Sequence, residues 1–410
     1  MHFTGQVDYL EKGKMKKLTT LLIALGLLVT IPAFAQEDDY PPTGDGSHTD
    51  SIYSLLMDID IQIDATQAIN DMYNFKFGVA EQKFRWMAVR YNWHPLPEFL
   101  LALSSWWKIV PNIDNEEYDD EFNERIDKAI DKGHVFFDKY PDNAEAAFML
   151  SAAYAFRGRL EGERGQYRKA TFSGQRSLKY FRICQGNEYF SPELLFGDGL
   201  YNYYSVYIKE NYPLLRPLLI FMKTGDKELG IKQLREVSSN AFYTRTEAQY
   251  FLMRILADER KDMRGALQLA EYLHETFPDN AYFHRYYARM LYSTGDYTRA
   301  MPVAEDVLTK LDSGMMGYEA TSGRYAAFFL GQIYQARGDT GQAKKYYQRS
   351  VELSESIDAE DAGYYHWSLY NLARIAKEEG DDKAAKELVK EVKKHAKRKS
   401  RVHEEARELY

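Results

Sequence analysis

A chain of 410 residues that is 45% hydrophobic and 28% charged has apolar material for a large core, which excludes disorder by composition. The formal charge of −8 argues against nucleic acid as the main partner, because phosphate binding needs a concentrated basic surface. A lone cysteine, Cys184, leaves no internal disulfide to form.

The N-terminal stretch reads as an address. From Met15, taken as the true start, come Lys16 and Lys17, an apolar run from Leu18 to Ile31, then Ala33-Phe34-Ala35. That is the order of a secretory signal over residues 1–35, cleaved before Gln36. The apolar run is shorter than the roughly 20 residues a membrane span needs. With no lipidation cysteine after it, the expectation is a periplasmic or secreted protein. Residues 36–50 are polar and rich in Pro and Gly, a flexible leader.

From residue 51 the pattern turns helical. Ala80 and Phe84 stand at helical spacing, His94-Pro95 marks a turn, and "EEYDDEFNERIDKAIDKGHVFFDKYPDN" predicts a long helix. Further on, Gly-Asp pairs recur at Gly225-Asp226, Gly295-Asp296, Gly338-Asp339 and Gly380-Asp381, with Lys261-Asp262 in the same role. The steps are 36, 34, 43 and 42 residues, the range of helical-hairpin repeats. Glycine ends one helix in a left-handed turn and Asp caps the next. A small residue follows each of the last four Asp at a fixed offset: Ala266, Ala300, Ala343 and Ala385.

Two stretches depart from this spacing. "RLEGERG" after Gly158 adds about seven residues, two turns of helix, so a hairpin lengthens there with its buried face kept in phase. "NYPLLRPLLIFMKTGD", Asn211 to Asp226, inserts an apolar piece read as core packing across a widened hairpin, with membrane contact by Tyr212–Met222 as the alternative.

The helical positions resemble the tetratricopeptide repeat. "FFLGQIYQARGDTGQAKKYYQRS" carries Leu330, Gly331, Tyr334, Gly338, Ala343 and Tyr347 in that pattern, and "FMLSAAYAFRG" repeats it with Leu150, Ser151, Tyr154 and Gly158. Pro278 stands where the family ends a repeat. The resemblance implies an all-α, right-handed α-solenoid of about eight helical hairpins over 51–400, closed by a polar capping helix ending at 401–410. The block Ser191–Leu252 resembles eukaryotic tetratricopeptide proteins of mitochondrial outer membranes and inclusion clearance. With "ALSSWWKI", it is also similar to exported tetratricopeptide proteins of Bacteroidetes type.

Catalytic and metal motifs are absent. His274-Glu275 has no second His at zinc spacing, no phosphate or nucleophile loop is found, and neither a cofactor nor a metal is expected. Cys184 reads as a buried structural thiol. The run from Asp114 to Glu124 lacks the Gly of a calcium loop and reads as an acidic helix start. Trp86, Trp93, Trp106 and Trp107 keep a sugar-stacking alternative open, although core packing is the commoner use of such rings.

The tetratricopeptide resemblance further implies that the first helix of each hairpin lines a concave face. Counted back from the turns, that face carries Tyr282, Arg285, Arg289 and Tyr292; then Tyr325, Phe328, Gln332 and Gln335; then Trp367, Tyr370, Arg374 and Lys377. Aromatics and Arg are the residue types of binding hot spots, so an acidic or aromatic-bearing peptide of an envelope protein is the expected partner. A C-terminal helix folded into the groove is the competing arrangement. The Asn of the family's carboxylate clamp is missing. The expectation is a non-catalytic scaffold; the alternatives are glycan handling by the Trp-rich half and a membrane-associated assembly factor.

Overall fold

Eight of the described helices start on an Asp or Asn whose side chain accepts hydrogen bonds from first-turn amides: Asp58, Asn143, Asp226, Asp262, Asn280, Asp296, Asp339 and Asp381. The structure, a computed structural model, describes residues 54–186, 191–211 and 224–410. The signal, the leader and Tyr212–Met222 lie outside those residues. Among the described residues all regular structure is helical.

The chain divides into two compact units. The first holds α1 (Ile59–Tyr73), α2 (Phe77–Arg90), α3 (Leu96–Ile109), α4 (Asp119–Lys139), α5 (Ala144–Glu163), α6 (Tyr167–Cys184), α7 (Leu194–Asn211), α8 (Lys227–Asn240) and most of α9 (Arg245–Arg254). Consecutive helices pack in pairs: α1 on α2, α3 on α4, α5 on α6, α7 on α8. Ala80 and Phe84 are fully buried, as their spacing predicts. The extra residues after Gly158 carry α5 on to Glu163 and leave Leu160 buried. Where α7 meets α8 the backbones nearly touch, since a Cβ on Gly230 would lie 2.7 Å from the Tyr203 amide nitrogen.

The second unit comprises a 3₁₀ turn, Val110–Asn112, and the chain from Met253 onward. It contains a π turn (Ile255–Glu259), α10 (Met263–Thr276), α11 (Ala281–Ser293), α12 (Tyr297–Asp312), α13 (Ala320–Ala336), α14 (Thr340–Glu355), α15 (Gly363–Glu378), α16 (Asp382–His395) and α17 (Arg401–Leu409). Gly295, Gly338 and Gly380 take φ values of 78°, 80° and 83°, the left-handed turn expected of the Gly-Asp pairs. Gly225 does not; its glycine is needed instead for close approach to the Asn202 backbone, 2.6 Å from where a Cβ would lie.

The C-terminal stretch differs from the single helix its sequence suggested. Ala396 is extended, and the chain breaks over 396–400 before α17 starts. The break has a packing reason: it turns Val402 and Ala406 inward to join Val392 and Ala396 in one apolar cluster with α15.

Candidate functional site

The predicted concave stripe lies on α11, α13 and α15, all in the second unit. On α11 the Arg285 guanidinium lies 5.2 Å from the centre of the Tyr282 ring and 5.5 Å from that of Tyr325. The same group donates to the Pro111 carbonyl (2.9 Å) and to Ser322 Oγ (3.1 Å). Arg289 pairs with Asp258 of the π turn at 3.0 Å and covers Tyr286. Both arginines therefore serve the fold, whatever else they touch. Tyr292 stacks on Phe329 with centroids 4.5 Å apart, and burial pushes its hydroxyl well above the usual tyrosine range.

On α13, Phe328 is buried between Tyr364 and Tyr347, while Tyr325 meets Tyr364 edge-on. Gln332 and Gln335 share the Tyr347 hydroxyl: Gln332 donates to it at 2.7 Å, and it donates to Gln335 at 2.5 Å. These amides hold a core tyrosine in place. Gly331 makes room for that ring, because a Cβ there would sit 2.7 Å from it.

On α15 the stripe lies under the last helix. Trp367 is buried in the cluster that includes Val402 and Ala406, with the Arg401 guanidinium 5.8 Å from its ring centre. Burial and the neighbouring Glu405 carboxylate both raise the Tyr370 hydroxyl. Lys377 donates to the Leu409 carbonyl at 2.8 Å and lies over the Tyr410 ring. Lys377 is nonetheless exposed, and Arg374 also reaches out, its side chain 42% exposed and loosely paired with Glu378 at 3.8 Å. The α15 part of the predicted stripe is thus partly covered by the chain itself. Tyr282, Arg285, Arg289, Tyr292, Tyr325 and Gln332 remain partly exposed.

Other candidates resolve simply. Trp106 and Trp107 are buried, so neither ring can stack on a sugar; Trp86 and Trp93 face solvent. The acidic run opens α4 as expected: Asp119 pairs with Arg164, Glu121 with Lys108, and Glu124 with Lys128. Burial pushes the Cys184 thiol far up, away from the reactive thiolate. Among the described residues no group of His, Cys, Asp and Glu is arranged to hold a metal ion.

Sequence reading passed over a set of buried carboxylates in the first unit. Glu145 accepts from the amides of Leu55 and Leu56 at 2.9 Å and meets His94 at 3.1 Å. Glu193 accepts from the amides of Phe242, Tyr243 and Thr244 and from the Thr244 hydroxyl. Glu247 accepts from Trp107 Nε1 at 2.8 Å and Tyr73 at 3.2 Å, and burial raises its carboxyl. Each stands at or just before a helix start, in Asn-Ala-Glu, Ser-Pro-Glu and Arg-Thr-Glu, a recurrence visible in the sequence. Glu145 and Glu193 hold backbone amides, and Glu247 two ring side chains, across long sequence separations.

Comparison with known proteins agrees with this architecture. Tetratricopeptide repeat models match residues 255–315 and 324–398. No curated protein matches the chain. Among solved structures, the crystal structure of yeast Tom70 is similar at 12% identity and a TM-score of 0.35, covering 85% of this chain and 80% of that one. The crystal structure of the P58(IPK) TPR domain is similar at 12% identity and a TM-score of 0.25, covering 85% and 97%. Residues 255–315 and 324–398 thus resemble tetratricopeptide repeats, and among the described residues all regular structure is helical.

Proposed function

We propose that the chain is a non-catalytic scaffold that holds protein partners in the cell envelope. The observation that carries this reading is the run of tetratricopeptide repeats over 255–315 and 324–398, with aromatic and Arg side chains partly exposed along α11 and α13. Residues of those types give large contact area and bidentate hydrogen bonding at little entropic cost, which suits an acidic or aromatic-bearing peptide. The envelope location rests on the signal-like order of residues 1–35.

The buried pairing of Arg285 and Arg289 makes them poor probes, since reversing either would disturb the fold. Better probes are Tyr282→Ala with Arg374→Glu, at partly exposed positions, and Val402→Asp with Ala406→Asp, which expels α17 from the groove. Capture from native envelope extract, with helicity checked by circular dichroism, compares the two double variants with the full chain. A partner lost with the first pair and gained or tightened with the second is the expected result. Equal retention by all three would place the interface elsewhere, and capture of nothing by any would defeat the scaffold reading.

A further inference from the structure

Helix α2 is apolar on two faces. Phe77, Ala80, Phe84 and Met87 point into the core. Outward stand Val79, Trp86 and Val89, exposed to 60%, 41% and 80%, with Trp93 at 41% just past the helix end. Positions 79, 86 and 89 fall on one side of the 3.6-residue helix, and Trp93 follows in the turn after it. The neighbouring α1 adds Ile59 and Ile63, exposed to 61% and 63%.

The stripe is bordered by positive charge. Lys76, Lys83, Arg85 and Arg90 lie on or beside α2, and its one carboxylate, Glu81, is turned inward onto Lys108 and Ser104. Lys83 and Arg90 flank the Trp86 ring at 4.4 and 5.2 Å. Lys83 also pairs with Asp64 and Arg85 with Glu81, so Lys76 and Arg90 carry most of the outward charge at the two ends of the stripe. On α1 the carboxylates of Asp58 and Asp60 are exposed beside Ile59 and Ile63, Asp58 capping the amides of Asp60 and Ile61, so the positive border belongs to α2.

We propose that this face of α2 docks on an anionic lipid surface, with Val79, Trp86 and Val89 in the headgroup region and the cations reaching lipid phosphates. Tryptophan beside lysine and arginine on an aliphatic stripe is the composition of an interfacial helix face, its rings at headgroup depth and its cations extended outward. The surface of a single helix is convex, and a bilayer, unlike a folded partner, needs no matching groove. A second copy of the chain is the weaker occupant, because a two-fold contact would set the same cations against each other. Among the described residues no helix is long and apolar enough to cross a membrane, so attachment by this face is peripheral. Such attachment goes beyond the scaffold role and does not depend on it.

The test places a polarity-sensitive dye on a Val89→Cys variant of the full chain; the buried Cys184 thiol leaves the new one as the reactive site. Vesicles of phosphatidylcholine alone, or mixed equally with phosphatidylglycerol, are added at low salt. The dye emission is expected to shift to the blue with the anionic vesicles and several-fold less with the neutral ones. Adding Lys76→Glu and Arg90→Glu to the labelled chain is expected to cut partition at least about tenfold. The same dye on a Tyr272→Cys variant, at an exposed site on α10, should not respond. An equal response at both labels would mean that another segment, such as Leu18–Ile31, carries the chain to lipid, and would overturn the proposal. So would unchanged partition of the charge-reversed chain, or a shift produced by polyglutamate and not by vesicles.

Discussion

Lys261 takes a φ of 56°, in the turn position where Gly295, Gly338 and Gly380 sit. A side chain in the left-handed region costs about 1–2 kcal/mol, of which glycine returns part through its freer unfolded chain. Lys261→Gly is therefore expected to stabilise the protein by about 0.5–1 kcal/mol, seen as a higher urea midpoint at unchanged slope. A lower midpoint would mean that the lysine side chain contributes more than its backbone strain. A second residue-scale effect lies in α10 and α11, where His274 and His284 stack at 4.3 Å. Burial lowers both imidazoles, His274 to about 4 and His284 to about 2, with Lys310 adding to the effect in each. The folded state holds them neutral while the unfolded chain takes up protons below about 6.5. Their contribution is thus present above that pH and lost as pH falls, through about 6.5 to 4 for His274 and about 6.5 to 2 for His284, at roughly 1 kcal/mol per pH unit for each ring. Denaturation midpoints at pH 7 and pH 5 should differ accordingly, and the difference should shrink in His274→Phe.

At the scale of the element, α17 is the piece whose removal is best defined. Nine residues long, it rests on α15 through Val402 and Ala406, and Lys377 holds the Leu409 carbonyl. Putting Asp at 402 and 406 buries two charges without partners, so the helix leaves. Hydrogen exchange should then show α17 amides losing their protection while α13, α14 and the inner half of α15 keep theirs. Loss of protection throughout the second unit would show that the helix is part of its cooperative core. The same element marks where sequence reading stops. The turns were legible because left-handed glycine and the Asp cap are local chemistry, complete within four or five residues. The exposure of the stripe was not, because Trp367 is covered by a helix whose position depends on packing from more than twenty residues away. The buried carboxylates escaped for a related reason. A lone Glu near a helix start reads as a solvated charge, and only the fold reveals that Glu193 faces the amides of 242–244.

At the scale of the whole molecule, aromatic rings fill both units, Trp106 and Phe122 in the first as Tyr347 and Phe329 in the second, and the first has a further cement. The first draws separated segments together through buried acceptors, Glu145 on residues 55–56 and Glu193 on 242–244. The second relies on tyrosine, phenylalanine and tryptophan rings packed between repeats, in the span where the tetratricopeptide models match. One residue of the first unit shows what such cement does for a surface. Arg164 donates to both Asp119 oxygens and to the carbonyls of Ile113 and Asn115, closing the acidic loop between α3 and α4 from four directions. That loop, with Glu116 and Glu117 at its centre, offers glutamyl endopeptidase an obvious cleavage site. A protease must draw out an extended strand of substrate, and a pinned loop cannot supply one. Limited digestion should leave the native chain intact there and cut an Arg164→Ala chain between residues 113 and 119 at the earliest time points, so a single guanidinium would set how long the protein survives proteolysis.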